Sequence, residues 1–274
     1  MSGIWAIPSK GKIDVGGVQL EFSRWGPAPD IAPTLIFLHE GLGCVEQWRD
    51  LPEQLAAATG FGVLAYSRAG HGGSDPITLP RPLNFLTREA LDIVGPLLDK
   101  AEVRQVILFG HSDGATIATI YAGSVSDLRV RGLILIAPHF FTEPTGLVAI
   151  SAAKQAYEKG DLKSKLARYH QNPDIAFYGW HDVWTHPNFE NWNVADAIDH
   201  LRIPVLAIQG DDDPYGTIAQ ISEIEERIYS PVETLILEGC GHAPHVERAE
   251  ETASAITEFC ARWYRLECEE VAIA

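Results

Sequence analysis

Short runs of β-branched and aliphatic residues recur along the chain, each closed by glycine, proline or charged residues. They are Thr34 to His39, Val63 to Ser67, Val106 to Gly110, Gly132 to Ala137, Val205 to Gly210 and Thr234 to Leu237. Runs this short and this uniformly apolar predict strands buried on both faces. Between most of them lie stretches of helical character: Cys44 to Ala58, Phe85 to Lys100, Ser112 to Ser124, Ile218 to Ile228 and Arg248 to Leu266. Strands alternating with helices predict the α/β class, a mostly parallel sheet with helices on both faces. Near the start, Ile13 to Val15 and Val18 to Trp25 flank Gly16-Gly17. That is the pattern of a hairpin adding antiparallel strands at the sheet edge.

The alternation breaks once, between the run ending at Ala137 and the run beginning at Val205. A gap of that length does not suit a plain loop. It holds helical periodicity from Leu147 to Tyr169 and then an aromatic tract: Phe177, Tyr178, Trp180, Trp184, Phe189 and Trp192. The expectation is a mostly helical insertion over the carboxyl ends of the strands, the edge where open parallel sheets hold their ligands. The chain then divides into a core domain of residues 1–138 and 196–274 and a helical cap insertion of residues 139–195.

Composition narrows the partners. The 274 residues are 46% hydrophobic and 21% charged, as in ordinary globular domains. No apolar run approaches the roughly 18 residues that a membrane span requires. Met1 to Lys12 lacks the basic start and apolar stretch of a secretion signal. The cysteines Cys44, Cys240, Cys260 and Cys268 lack the short paired spacing of a zinc site and are too few for a disulfide scaffold. Reduced thiols in a cytoplasm are the expectation. A formal net charge of −16 repels phosphate backbones and anionic lipid, so the expected partner is a small molecule, with no nucleic acid and no membrane.

The strongest chemical signal is Gly110-His111-Ser112-Asp113-Gly114, which follows the run ending at Phe109 and precedes helix-like Ala115 to Ala122. A serine on a tight strand-to-helix turn presents its hydroxyl, and flanking glycines let strand and helix approach. A hydroxyl nucleophile needs a base on a loop at the same sheet edge. His242 stands on such a loop, in Glu238-Gly239-Cys240-Gly241-His242-Ala243-Pro244 after the last run; His245 is the nearby competitor. The acid that orients the base should follow another strand, and Gly210 is followed by Asp211, Asp212 and Asp213. No rival acid follows Ala137, where Pro138-His139 stands. Cys44 and Cys240 sit on no such turn and read as small buried residues. His242 and His245, separated by a proline in a turn, do not share a helical face, so no metal site is expected.

In chain order these residues run serine, acid, histidine, each after its own strand. The chain thereby resembles the α/β-hydrolase fold family, and the likeness extends from Thr34 to the last helix. The resemblance implies an acid three residues after the glycine closing its strand, which is Asp213. Leu38-His39-Glu40-Gly41-Leu42-Gly43 resembles the family's oxyanion loop, with Glu40 where glycine is commoner. It implies oxyanion donors at the amides of Gly41 and Asp113, with Leu42 as the alternative. Tyr66 to Ser74 resembles the family's turn after the next strand, with Ala69 replacing a glycine, and implies a structural role for Arg68 and His71.

The resemblance implies a serine esterase without a cofactor: Ser112 attacks a carboxylic ester, His242 moves the proton and Asp213 orients His242. Serine at position 112 argues against the epoxide hydrolases and dehalogenases of this likeness, which need a carboxylate there. Phe177, Tyr178, Trp180, Trp184 and Trp192 are the candidate substrate wall, favouring small apolar or aromatic groups. Carbon–carbon bond hydrolysis of a dienol or diketone by the same triad is the alternative chemistry, with thioester hydrolysis behind it. A non-catalytic receptor or scaffold is the alternative of another class.

Overall fold

The computed structural model describes residues 3–6 and 9–268. Eight strands form one sheet: β1 (Lys10–Val15), β2 (Val18–Trp25), β3 (Thr34–Leu38), β4 (Gly62–Tyr66), β5 (Val106–His111), β6 (Val130–Ile136), β7 (Val205–Gly210) and β8 (Val232–Leu237). Their order across the sheet is β1-β2-β4-β3-β5-β6-β7-β8. β1 and β2 form the antiparallel hairpin at the edge, β2 joins β4 antiparallel, and every later pairing is parallel.

The uniformly apolar strands are buried because both faces are covered. Alternate residues divide between two cores. Leu35, Phe37, Val63, Ala65, Ile107 and Phe109 pack with Leu51, Leu55, Ile256, Phe259 and Trp263 of the helices Leu51–Thr59 and Ala249–Cys268. Ile36, Leu38, Leu64, Leu108 and Leu135 face the opposite core, with Leu97, Ile117, Ile120 and Ile224. Each fully buried aliphatic side chain of this kind is worth about 2 kcal/mol.

The parallel register aligns the strand ends. Leu38 pairs with Gly110, Gly110 with Leu135, and His111 with Ile136, while Gly210 pairs with Leu237. The loops after β3, β5, β6, β7 and β8 therefore leave from one edge. The segment between β6 and β7 contains the helices Pro144–Lys159, Leu162–Leu166 and Pro173–Trp184. At its base Phe141 bridges Asn193 antiparallel, the Thr142 N–H donates to the Trp192 carbonyl at 3.1 Å, and the Val194 N–H donates to the Phe140 carbonyl at 2.7 Å. The departing and returning chain thus zip together, so the insert is a closed excursion from the sheet edge. The expected single periodic stretch from Leu147 to Tyr169 is two helices, broken near Gly160. Among the described residues no helix is long and apolar enough to cross a membrane, and Cys44, Cys240, Cys260 and Cys268 are free thiols.

Candidate active site

Ser112 lies between β5 and the helix Asp113–Ser124, with φ 53° and ψ −118°. A positive φ strains a residue with a side chain and persists only where its surroundings fix it. Here the Ser112 N–H donates to the Ile136 carbonyl at 2.9 Å, and the Ala115 and Thr116 N–H groups donate to the Ser112 carbonyl at 2.9 and 3.1 Å. The flanking glycines are dictated by contact. A Cβ on Gly110 would lie 2.4 Å from the Ala115 nitrogen, and one on Gly114 only 1.9 Å from the Leu38 carbonyl oxygen.

His242 and Asp213 meet from the loops after β8 and β7, with His242 Nδ1 2.7 Å from Asp213 Oδ2. The Asp213 carboxylate also accepts from Gln209 Nε2 at 2.9 Å and from the Tyr215 N–H at 2.8 Å. Burial pushes this carboxyl up, but the hydrogen bond and the charge of His242 outweigh it, so Asp213 lies below the usual carboxylate range. The Asp213 side chain is 0% exposed and that of His242 18%, which leaves the imidazole open to a reactant. Asp211 has a different task, because its Oδ1 accepts the Gly239 N–H at 2.6 Å and ties down the histidine loop. Asp212 is exposed.

Three other histidines crowd this one. The rings of His111 and His139 lie 5.0 and 5.7 Å from the His242 ring, and His245 lies 4.7 Å from His111. Burial pushes His111 well below its ordinary value, His139 down to about 3 and His245 down to about 4. They remain neutral near pH 7 and add no cations beside His242. His111 Nε2 donates to the His242 carbonyl at 2.7 Å, so the elbow itself helps to position the base.

Ser112 and His242 line one cavity of about 230 Å³ together with Glu40, Gly41, Leu42 and Asp113. Of the expected aromatic wall, Trp180 and Trp184 line it. Spaced i, i+4 on the helix Pro173–Trp184, they look the same way. Phe177, Tyr178 and Trp192 lie outside the lining, and here the expectation is corrected. Phe177 stacks on Tyr157 at 3.8 Å, Tyr178 meets Tyr157 edge-on at 5.6 Å, and Trp192 stacks on Phe189 at 5.1 Å. These rings pack the insert together instead of facing the cavity. Sequence reasoning missed Phe141, Leu147, Ile150 and Tyr215, which complete the apolar lining. A signal was present: Leu147 and Ile150 are spaced i, i+3 just after β6, and Tyr215 comes two residues after Asp213.

The loop after β3 is held by its carbonyls. His39 Nδ1 and Arg68 Nη2 donate to the Glu40 carbonyl at 2.7 and 2.8 Å, His71 Nε2 to that of Gly41 at 3.0 Å, and His170 Nε2 to that of Leu42 at 2.9 Å. Burial lowers all three of these histidines, and Arg68 lowers His39 and His71 further. Neutral imidazole donates at one nitrogen and accepts at the other. His39 Nε2 accordingly accepts the Arg68 N–H, and His170 Nδ1 the Gly72 N–H, each at 2.9 Å. The Leu42 N–H is taken by the Glu40 carboxylate, which leaves the Gly41 amide as the better placed donor of the two.

Asp113 joins the insert to the core. Its Oδ1 accepts the Trp184 Nε1–H at 3.2 Å, and its Oδ2 lies 3.4 Å from both Nη atoms of Arg68. The Arg68 and Asp113 side chains are each 1% exposed. Among the described residues no cluster of three or more His, Cys, Asp or Glu is arranged to hold a metal ion.

A mostly parallel sheet with a strained serine at the turn after a central strand, and a histidine–carboxylate pair at the same edge, defines the α/β-hydrolase class of fold. The chain belongs to the alpha/beta hydrolase family, whose sequence pattern matches residues 35–255. It is 24% identical over 233 residues to the bifunctional esterase/perhydrolase DCH of Acinetobacter calcoaceticus, covering 72% of this chain and 79% of that protein. With the serine hydrolase BPHL of Homo sapiens it shares 26% identity over 263 residues, 90% of this chain and 85% of the relative. The enol-lactonase from Burkholderia xenovorans LB400 superimposes with a TM-score of 0.73 at 19% identity, over 92% of this chain and all (100%) of that one. At this level the chain is a hydrolase acting on small molecules.

Proposed function

We propose that this chain is a serine esterase that cleaves a carboxylic ester of a small, apolar or aromatic substrate through an acyl-enzyme on Ser112. The observation that carries the reading is a strained Ser112 sharing a cavity with His242, whose ring is tied to buried Asp213 at 2.7 Å. His242 takes the serine proton as Ser112 attacks the carbonyl carbon, and Asp213 stabilises the imidazolium that forms. The amides of Gly41 and Asp113 bind the oxyanion; Asp113 is the first residue of its helix, so its N–H has no acceptor within the helix. His242 then returns the proton to the leaving alcohol, and water repeats the cycle to release the acid. No cofactor is needed. Residues 139–195 act as a cap that supplies part of the acyl or alcohol pocket.

Incubation with a fluorophosphonate, followed by peptide mapping, is expected to give a single adduct on the peptide containing Ser112. An adduct on another residue, or none in folded protein, would reject the reading.

The lining predicts an asymmetry between two tryptophans. Trp184→Ala removes a cavity wall and is expected to lower kcat/KM unequally for aryl and short alkyl esters, by about 1–3 kcal/mol, the worth of an apolar group seated against that wall. Trp192→Ala loosens the insert, and should lower the unfolding temperature while affecting all esters alike. Steady-state kinetics on matched esters, with thermal unfolding of each variant, checks both.

A further inference from the structure

Glu40 stands inside the loop that follows β3, where its side chain turns back on its own backbone. One carboxylate oxygen accepts the Leu42 N–H. The other lies over Gly43, where a Cβ would come within 3.1 Å of it. Glu40 lines the cavity beside Ser112 and His242, and on its Gly43 side it also lines a neighbouring pocket with Arg49 and His245. A carboxylate so close to the oxyanion works against the developing negative charge. Glutamine, of nearly the same shape and able to accept the same N–H, would avoid that cost. What glutamate adds at this position is its charge.

The surroundings leave that charge unopposed on the substrate side. None of the described residues lining the cavity is a lysine or arginine. The guanidinium whose charge acts on Glu40, that of Arg68, is buried and already engaged with Asp113 and the Glu40 carbonyl. A further carboxylate, Glu143, lies at the same cavity, holding Thr217 and Gln220. Phe141, Leu147, Ile150 and Trp180 supply apolar lining beside these carboxylates.

We propose that Glu40 is a charge filter: its carboxylate turns away esters that carry an anionic group and admits uncharged or cationic ones. The filter rests on the serine esterase reading and narrows its substrate class. Like charges a few ångströms apart in a partly buried site repel enough to change kcat/KM by roughly a hundredfold.

The filter also depends on pH. Burial pushes the Glu40 carboxyl up, whereas His242 and Arg68 draw it down and Asp113 pushes it up. Of the other titratable groups facing it, Tyr215 is raised by burial, and burial takes Cys44 to about 12, so both stay neutral. Discrimination therefore grows as pH rises and Glu40 ionises.

The test compares aryl esters of matched size bearing a sulfonate, a methyl sulfone or a trimethylammonium group, placed once on the acyl and once on the alcohol side. These charges do not titrate, so any pH dependence of the ratios belongs to the protein. On at least one side, the wild-type protein should turn over the sulfonate ester about a hundredfold less efficiently than the sulfone. The trimethylammonium ester should be favoured over the sulfonate, and both gaps should widen as pH rises. In Glu40→Gln the sulfonate-to-sulfone ratio should recover at least roughly tenfold and lose its pH dependence. A general loss of folding or catalysis cancels in that ratio. Ratios unchanged in Glu40→Gln on both sides would overturn the filter while leaving the esterase reading intact. Absence of turnover for every ester, the neutral sulfone included, would overturn both.

Discussion

Ser112→Ala is expected to lower kcat for ester hydrolysis by roughly a millionfold, the scale seen when a serine nucleophile is removed from a triad. The fold should persist. Alanine keeps the backbone N–H that donates to the Ile136 carbonyl, and it keeps the carbonyl that accepts from Ala115 and Thr116. These bonds, with the close approach of Gly114 to Leu38, hold the positive φ, and none involves the hydroxyl. The measurement is kcat on the best aryl ester, with circular dichroism and thermal unfolding on the same preparation. Wild-type turnover by a folded, contaminant-free Ser112→Ala would exclude the serine mechanism. His242→Ala should be comparably damaging, because the hydroxyl then lacks its base.

Asp213→Asn is expected to reduce kcat by about ten-thousandfold. The carboxylate is enclosed and accepts from His242, Gln209 and the Tyr215 N–H. An amide there can turn its NH₂ toward His242 Nδ1, which stabilises the tautomer whose Nε2 carries the proton and cannot act as base. Asp211→Asn retains an oxygen for the Gly239 N–H, and Asp212 is exposed, so these two substitutions should cost far less. The three variants are compared by kcat at a pH where wild type is fully active. If Asp211→Asn or Asp212→Asn abolished turnover and Asp213→Asn did not, the orienting acid would have been assigned to the wrong carboxylate.

The scaffold was largely legible in the linear order of residues. Strand runs such as Val106 to Gly110 and Val205 to Gly210 lie within a residue or two of the strands observed, because an apolar run bounded by breakers leaves a short buried strand few alternatives. The hairpin around Gly16-Gly17 and its edge position followed from equally local chemistry. The elbow glycines were legible from their motif, although only Gly110 is dictated by neighbours in sequence, the contact that requires Gly114 being with Leu38 on β3. The helical stretch Phe85 to Lys100 was legible in its bounds, whereas the interruption of Leu147 to Tyr169 into the helices Pro144–Lys159 and Leu162–Leu166 was not.

Which side chains share the cavity was decided only by tertiary structure. Phe177 and Trp180 look equivalent in sequence, yet one stacks on Tyr157 while the other faces Ser112, because the rotation of a helix on its support depends on the surface it meets. Arg68 and His71 read as parts of a structural turn, and no local pattern says that they hold the carbonyls of Glu40 and Gly41 or that His170 of the insert holds Leu42. Glu40 stood in the sequence as a departure from an expected glycine. That it lines a cavity with no lysine or arginine among the described lining residues emerges only when loops far apart in the chain converge. Periodicity and turn chemistry act between neighbours and are written in the sequence, whereas burial, ionisation and the contents of a cavity are sums over distant segments that exist only once the chain is folded.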